Sequence, residues 1–260
     1  MEDNGKKDDN INAKIQYNIK DISKYNIARV YDNENISGIK EIIFKIIVIG
    51  DIGVGKSSII QNIIKESVPI DENYKATIGF DIFKYKSKVK DIIINLNIWD
   101  TCGLCEFSSC TPSLFKNVVL AIIVYQIDKL STFENLQNWV NLLKLYANPD
   151  ILTFIVGNKN DLEDQRKIKK EEGEKYVEDN KFNFFIETSA KDRKFVKELL
   201  EQALAQLYEY YNKIKNNKEN DDGEDEEEGE IEDFSRRRGT FSIKNVQKKK
   251  KVNKNGGACC

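Results

Sequence analysis

The chain contains no histidine, so a side chain that commonly joins cysteine in tetrahedral metal sites is missing. Its five cysteines do not form a disulfide framework: Cys102, Cys105 and Cys110 share one loop-like stretch, and Cys259 and Cys260 end the sequence. With no fourth thiol nearby, the C-x-x-C of Cys102 and Cys105 plus Cys110 is a poor metal set. Three small substitutions in a loop are the plainer reading; a metal or redox switch is the alternative. The opening "MEDNGKKDDN" lacks an apolar signal-peptide core, which together with the cysteine usage favours a reducing, cytosolic compartment. Long hydrophobic runs are also missing. The longest, "VVLAIIVYQI", is half of the roughly 20 residues that cross a bilayer, so a buried strand is expected there. Excess charge is absent too: 41 basic and 43 acidic residues leave a net charge of -2, with no overall field directed at nucleic acid.

What the sequence does contain is an ordered alternation. Residues 1–41 are polar and without sustained periodicity, which predicts a mostly flexible extension in which "YNIARVY" is able to dock on the rest. From residue 42 to 214, strand-like runs alternate with amphipathic segments, the pattern of an α/β domain. The strands are expected in "IIFKIIVIG", "FDIFKYKSKV", "DIIINLNIWD", "VVLAIIVYQID", "ILTFIVGNKND" and "FNFFIET". The first, fourth and fifth are apolar almost throughout, as parallel strands covered on both faces should be. The short turn between the second and third predicts a hairpin at the sheet edge. Helices are expected over 56–66, 111–116, 131–146, 169–180 and 193–214. In the last, Val196, Leu199, Leu200, Ala203, Leu204 and Leu207 make one core-facing stripe. Residues 215–260 read as a tail with an acidic run, "ENDDGEDEEEGEIED", and basic clusters, "SRRRGTFS" and "KKKKVNKNGGACC".

The segment "GDIGVGKS", Gly50 to Ser57, fits G-x-x-x-x-G-K-[ST] after a strand and at the start of a helix. Phosphate oxygens need closely spaced backbone N–H donors, and glycines at Gly53 and Gly55 let the main chain approach. The helix N-terminus, with Val54, Ser57 and Ser58, adds donors and a favourable dipole. Lys56 would reach the β- and γ-phosphates and the Ser57 hydroxyl would ligate Mg2+. Asp100, at the end of a strand, is a second metal candidate, and Gly103 is placed to offer an N–H to the γ-phosphate. In "VGNKND", the Asp161 carboxylate can accept two parallel hydrogen bonds from guanine but not from adenine, with Asn158 and Lys159 holding the base and bracing the loop. In "ETSAK", the segment Ser189, Ala190 and Lys191 would present N–H groups to the guanine oxygen.

These five motifs, in order over residues 42–214, resemble a small Ras-superfamily GTPase. "DIGVGKSS", "YKATIGFDIF", "LNIWDT", "TPS" and the terminal Cys-Cys are similar to the Rab branch. The resemblance implies a P-loop G domain: an α/β fold with a six-stranded, mostly parallel sheet, one antiparallel edge strand, and helices on both faces. It implies binding of GTP and GDP with Mg2+, and closure of Thr77 on the metal and γ-phosphate only with GTP. In this pattern the metal set is Ser57, Thr77 and Asp100, while Lys56, Thr77 and position 104 serve hydrolysis. It also implies effectors, an exchange factor, an activating protein, a GDP-dissociation inhibitor and prenylation machinery as partners of a monomer, with no role for nucleic acid.

The chain departs from the family's "W-D-T-A-G-Q-E" with "WDTCGLCE". Leu104 replaces the glutamine that orients the attacking water, and leucine offers no hydrogen bond to water or to developing charge. Slow intrinsic hydrolysis is expected, and Ile52, bulky in the P-loop, points the same way. Two outcomes stay open: turnover driven by a partner, since Rab-directed activating proteins bring both arginine and glutamine, or a GTP-locked scaffold that does not hydrolyse. A P-loop ATPase is the further rival that Asp161 argues against. Glu106, where relatives carry arginine, should alter partner choice; Gln126 replaces a usual aspartate.

The terminal Cys259 and Cys260 resemble the Rab signal for geranylgeranylation at both positions, two chains giving stable anchoring where one is marginal. The basic run at 248–251 would add attraction to an anionic leaflet. The expected location is the cytosol and the cytoplasmic face of endomembranes. Thr240, beside Arg236 to Arg238, stands in a basophilic-kinase context.

Overall fold

The computed structural model describes residues 21–31, 34, 36–65, 77–103, 111–219 and 231–233. At its centre is β2 (Lys40–Ile49), flanked by parallel β4 (Ile92–Thr101) and β5 (Leu120–Gln126). The sheet continues outward from β5 to β6 (Leu152–Asn158) and β7 (Phe184–Thr188), both parallel. On the other side β3 (Phe80–Val89) pairs antiparallel with β4 through a tight turn in which Lys90 takes a left-handed φ of 53°. All six strands expected from the sequence are therefore present.

Two more strands join them among the described residues. The two-residue β1 (Ala28–Arg29) pairs antiparallel with β3, so β3 is the one antiparallel strand but not the edge. The three-residue β8 (Ile231–Asp233) pairs with Glu41–Ile43 of β2, below the point where β5 begins opposite Ile46. Both additions come from segments expected to be extension and tail. Neither has the apolar run that marks a buried strand, since each adds only a few backbone hydrogen bonds at an open edge.

Alternation along the central strands sends successive residues to opposite faces. Ile42, Phe44, Ile46 and Val48 of β2, with Leu120, Ile122 and Val124 of β5, form one core with α1 (Lys56–Ile64) and α6 (Val196–Glu219). Ile47, Ile49, Ala121, Ile123 and Tyr125 face the other core. That side is covered by α2 (Thr111–Phe115), α4 (Leu136–Tyr146) and α5 (Lys170–Asn180). The six-residue stripe expected on α6 is wholly buried in the first core. The helix expected over 131–146 is instead α3 (Leu130–Glu134) and α4, parted at Asn135.

Tyr25, only 1 % exposed, belongs to the α6-side core. The segment "YNIARVY" thus docks on the domain, and only part of residues 1–41 is left as a candidate extension. β2, β4, β6 and β7 all run parallel, so their carboxyl ends lie along one rim, where an open α/β sheet binds its ligands.

Candidate functional site: a phosphate loop, an oxygen cluster and a base pocket on one rim

The loop from β2 to α1 turns through three left-handed glycines, Gly50 (φ 138°), Gly53 (φ 80°) and Gly55 (φ 98°). Two of them are fixed by neighbours as well as by dihedral. A Cβ on Gly50 would strike the Val124 carbonyl, and one on Gly55 would strike the Asn158 amide. Val54 between them is fully buried. Gly55 caps α1, so Lys56, Ser57 and Ser58 form its first turn, whose N–H groups have no acceptor within the helix. The Lys56 ammonium is buried over the loop and donates to the Gly50 and Asp51 carbonyls at 2.8 and 2.9 Å.

Beside that turn, three oxygen-bearing side chains from separate elements converge. Ser57 Oγ lies 3.0 Å from Thr77 Oγ1, which donates to Asp100 Oδ2 at 3.4 Å. Asp100 is 1 % exposed and its Oδ1 has no partner among the described residues. Burial pushes its carboxyl above the usual range, against hydrogen bonding to Ser57 and the nearby Lys56 charge. A buried carboxylate with an orphaned oxygen, next to two hydroxyls, is a set of hard oxygen donors that suits Mg2+. Gly103 follows closely: a Cβ there would collide with the Asp51–Ile52 backbone, so the chain after β4 rests directly on the phosphate loop. Leu104, Cys105, Glu106 and Cys110 lie outside the described residues; Cys102 is a free, half-buried thiol.

At the ends of β6 and β7, Asn158 is a brace. Its Nδ2 donates to Val54 O at 2.8 Å, and its Oδ1 accepts from Thr188 Oγ1 and Ala190 N–H at 3.1 and 3.2 Å. One side chain therefore joins the glycine-rich loop to the end of β7 and the segment after it. Lys159 takes a left-handed φ of 66° at the turn. Asp161 Oδ1 accepts from Ser189 Oγ at 2.6 Å, and Ser189 Oγ accepts in turn from Asp192 N–H at 3.0 Å. The Ser189 hydroxyl thus aims the carboxylate, a role distinct from touching a ligand. Lys191 is exposed beside it.

Several supports have no sequence signature. The Asp51 carboxylate accepts from Trp139 Nε1 at 2.9 Å and Asn135 Nδ2 at 2.8 Å, tying the phosphate loop to α4. Asn62 on α1 donates to Ala190 O at 2.6 Å. Arg166 grips Glu187 with two 2.7 Å bonds and also holds Glu163, locking the loop after β6 to β7; these carboxylates hold the guanidinium above its usual range. Gln126, without an assigned consequence from sequence, has its backbone N–H held by Thr132 Oγ1 at 3.1 Å. The Asp51 and Asn62 contacts join residues 84 to 128 positions apart, and no local pattern records such pairs.

A glycine-rich loop after the central strand, an oxygen cluster beside it and the Asn158 and Asp161–Ser189 contacts at the ends of β6 and β7 share one rim, the layout of a P-loop protein. Comparison with known proteins narrows the class. The Ras family model matches residues 45–209. The Arabidopsis thaliana Ras-related protein RABF2a is 36% identical over 171 residues, covering 66% of this chain and 84% of that protein. The Ras-related protein RABA5e of the same plant is 35% identical over 171 residues, with 66% and 77% coverage, and RABA6b is 31% identical over 191, with 73% and 82%. The chain belongs to the Ras family and is a Rab-type small GTPase.

Proposed function

We propose that this chain is a GTP/GDP-binding switch that acts in membrane trafficking and turns over its GTP slowly unless a partner intervenes. The observation that carries the reading is the convergence of Ser57, Thr77 and Asp100 next to Lys56, from four points of a sequence that spans 45 positions. Gly53, Val54, Gly55, Lys56, Ser57 and Ser58 would hold the phosphates through backbone N–H groups and the Lys56 charge. Ser57, Thr77 and Asp100 would hold Mg2+, which supplies charge neutralisation between the β- and γ-phosphates. Asp161, aimed by Ser189, selects guanine, and Asn158, Lys159, Ala190 and Lys191 complete that pocket.

Thr77 is followed by Ile78, 94 % exposed, and by the exposed Phe80 and Ile82. Phe80 stacks on Trp99 at 4.8 Å. This apolar surface begins beside the oxygen cluster, so an effector resting on it would sense whether Thr77 is engaged. Membrane attachment falls to Cys259 and Cys260, which lie outside the described residues, as the kinase-context Thr240 also lies. Among the described residues no helix is long and apolar enough to cross a membrane.

Hydrolysis turns on position 104. In single-turnover assays of preloaded GTP, wild type should release phosphate slowly, and Leu104→Gln should accelerate it about tenfold, roughly 1.4 kcal/mol of barrier. Equal and rapid rates would refute the assignment of Leu104 as the defect. A wild type inert even with an activating protein would favour the second reading, a GTP-bound scaffold for effectors. Displacement of bound GTP by ATP as readily as by GDP would instead revive the ATPase.

A further inference from the structure

Arg29 lies outside the stretch matched by the Ras family model, yet it touches the element that builds the phosphate site. Its Nη2 donates to the carbonyl of Ile64, the last residue of α1, at 2.9 Å. The final carbonyls of a helix have no intrahelical donor, and a cation there meets the negative end of the dipole. The helix that presents Lys56 and Ser57 in its first turn is therefore held by Arg29 at its last. Immediately beyond, Lys65 N–H closes on Gln61 O at 2.8 Å, and the next described residue is Thr77. Arg193 also approaches, but its contact to Lys65 O is 3.5 Å long, too weak to replace a 2.9 Å cap.

Arg29 is itself firmly placed. Its guanidinium lies over the rings of Tyr31 and Tyr85, at 5.1 Å from each. Its backbone is registered by Arg29 opposite Ser87 and Ala28 opposite Lys88. Ser87 Oγ donates to Ala28 O at 2.8 Å, and Val30 N–H to Lys86 O at 3.0 Å. Four residues upstream, the Tyr25 hydroxyl donates to Glu209 at 2.7 Å and its carbonyl accepts Lys90 N–H at 2.9 Å. The Lys90 ammonium sits 4.9 and 4.8 Å from the rings of Tyr25 and Tyr208. The segment from Tyr25 to Val30 is thus a strap fastened to α6, to the β3–β4 turn and to the end of α1.

We propose that Arg29 is a positioning residue for the nucleotide and metal site: by capping α1 it fixes the point from which the chain departs toward Thr77. The proposal rests on Ser57, Thr77 and Asp100 being the metal set. Its signature is dependence on the metal. Thr77 acts only on a metal-loaded, GTP-like state, so loosening its approach should matter there and not when the metal is stripped.

The test is release of a fluorescent, non-hydrolysable GTP analogue from the full-length protein, in excess Mg2+ and in EDTA. Arg29→Ala should release it about threefold to tenfold faster in Mg2+, in keeping with the strength of a helix-end cation, and at the wild-type rate in EDTA. Arg29→Lys, which keeps a cation but loses the planar fork and much of the ring contact, should fall between. Unchanged release in Mg2+ overturns the proposal, as does equal acceleration with and without metal, which would mean general loosening. Should Arg29→Ala fail to fold, Arg29→Lys carries the same comparison: a faster rate confined to Mg2+ supports the proposal and any other pattern overturns it. A wild type that binds no guanine nucleotide would overturn the site reading first, and this proposal with it.

Discussion

Lys45 lies in the central strand, is 8 % exposed, and donates to the carbonyls of Ser113 and Lys116 at 3.3 and 3.1 Å. Its ammonium also lies 4.0 Å from the centre of the Trp99 ring. Carbonyl dipoles and a ring face are its partners among the described residues, and burial pushes the amine down to about 8. Below that pH the folded protein carries a desolvated charge that the unfolded chain keeps in water, so the cost is present in full. Between about 8 and the ordinary lysine value near 10.4, the folded state gives up the proton while the unfolded state retains it. Wild-type stability should therefore rise relative to Lys45→Met as pH climbs through that window. Denaturant melts of both proteins from pH 7 to 10.5 measure the difference; a gap that stays flat or widens against wild type would disprove it. Single residues also mark the limit of the sequence. The loop from β2 to α1 was legible because its three left-handed glycines and the helix start occupy one contiguous stretch. Asp51 was not, since its carboxylate matters through Trp139 and Asn135, which join it only after α4 has packed.

At the scale of elements, the six main strands and the α6 stripe were legible because burial imposes period 2 on strands and 3.6 on helices. The break in the 131–146 helix was not. Asn135 keeps right-handed helical dihedrals there and turns its amide to Asp51, a partner 84 positions away that no local pattern records. The docked segment before β2 was only partly legible, because it holds on by scattered contacts, the Tyr25 ring, two ladder residues, the Arg29 bond to Ile64 and the buried Val30, rather than by an apolar run. Tyr25 is its largest fully buried side chain, edge-on to Tyr208 at 5.9 Å and bonded to Glu209. Tyr25→Ala should then cost about 3 kcal/mol of unfolding free energy, the scale for removing a large buried ring. Chemical denaturation would show it as a lower midpoint at an unchanged slope. A loss under about 0.5 kcal/mol, the size of an ordinary surface change, would mean that the segment contributes little to the fold.

Across the whole molecule, both ends of the sequence return to the sheet: β1 on β3 at one side, and β8 on β2 near its middle. A proline within β8 would remove a ladder donor. Glu232→Pro should therefore leave the domain folded and raise the rate of amide exchange within Glu41–Ile43, as read by mass spectrometry. Exchange identical to wild type would show that this pairing does not persist in solution. The three-residue strand also does geometry. If the chain left the domain at Asn220, the run to Cys260 would be 41 residues, up to about 140 Å of contour at full extension. Pinned at Asp233, it is the 27 residues from 234 to 260, about 90 Å at most. A short stretch of backbone pairing thereby lowers by about 50 Å the greatest distance that Cys259 and Cys260 can lie from the sheet, and so limits the tether that the lipid attachment proposed above would have to work with.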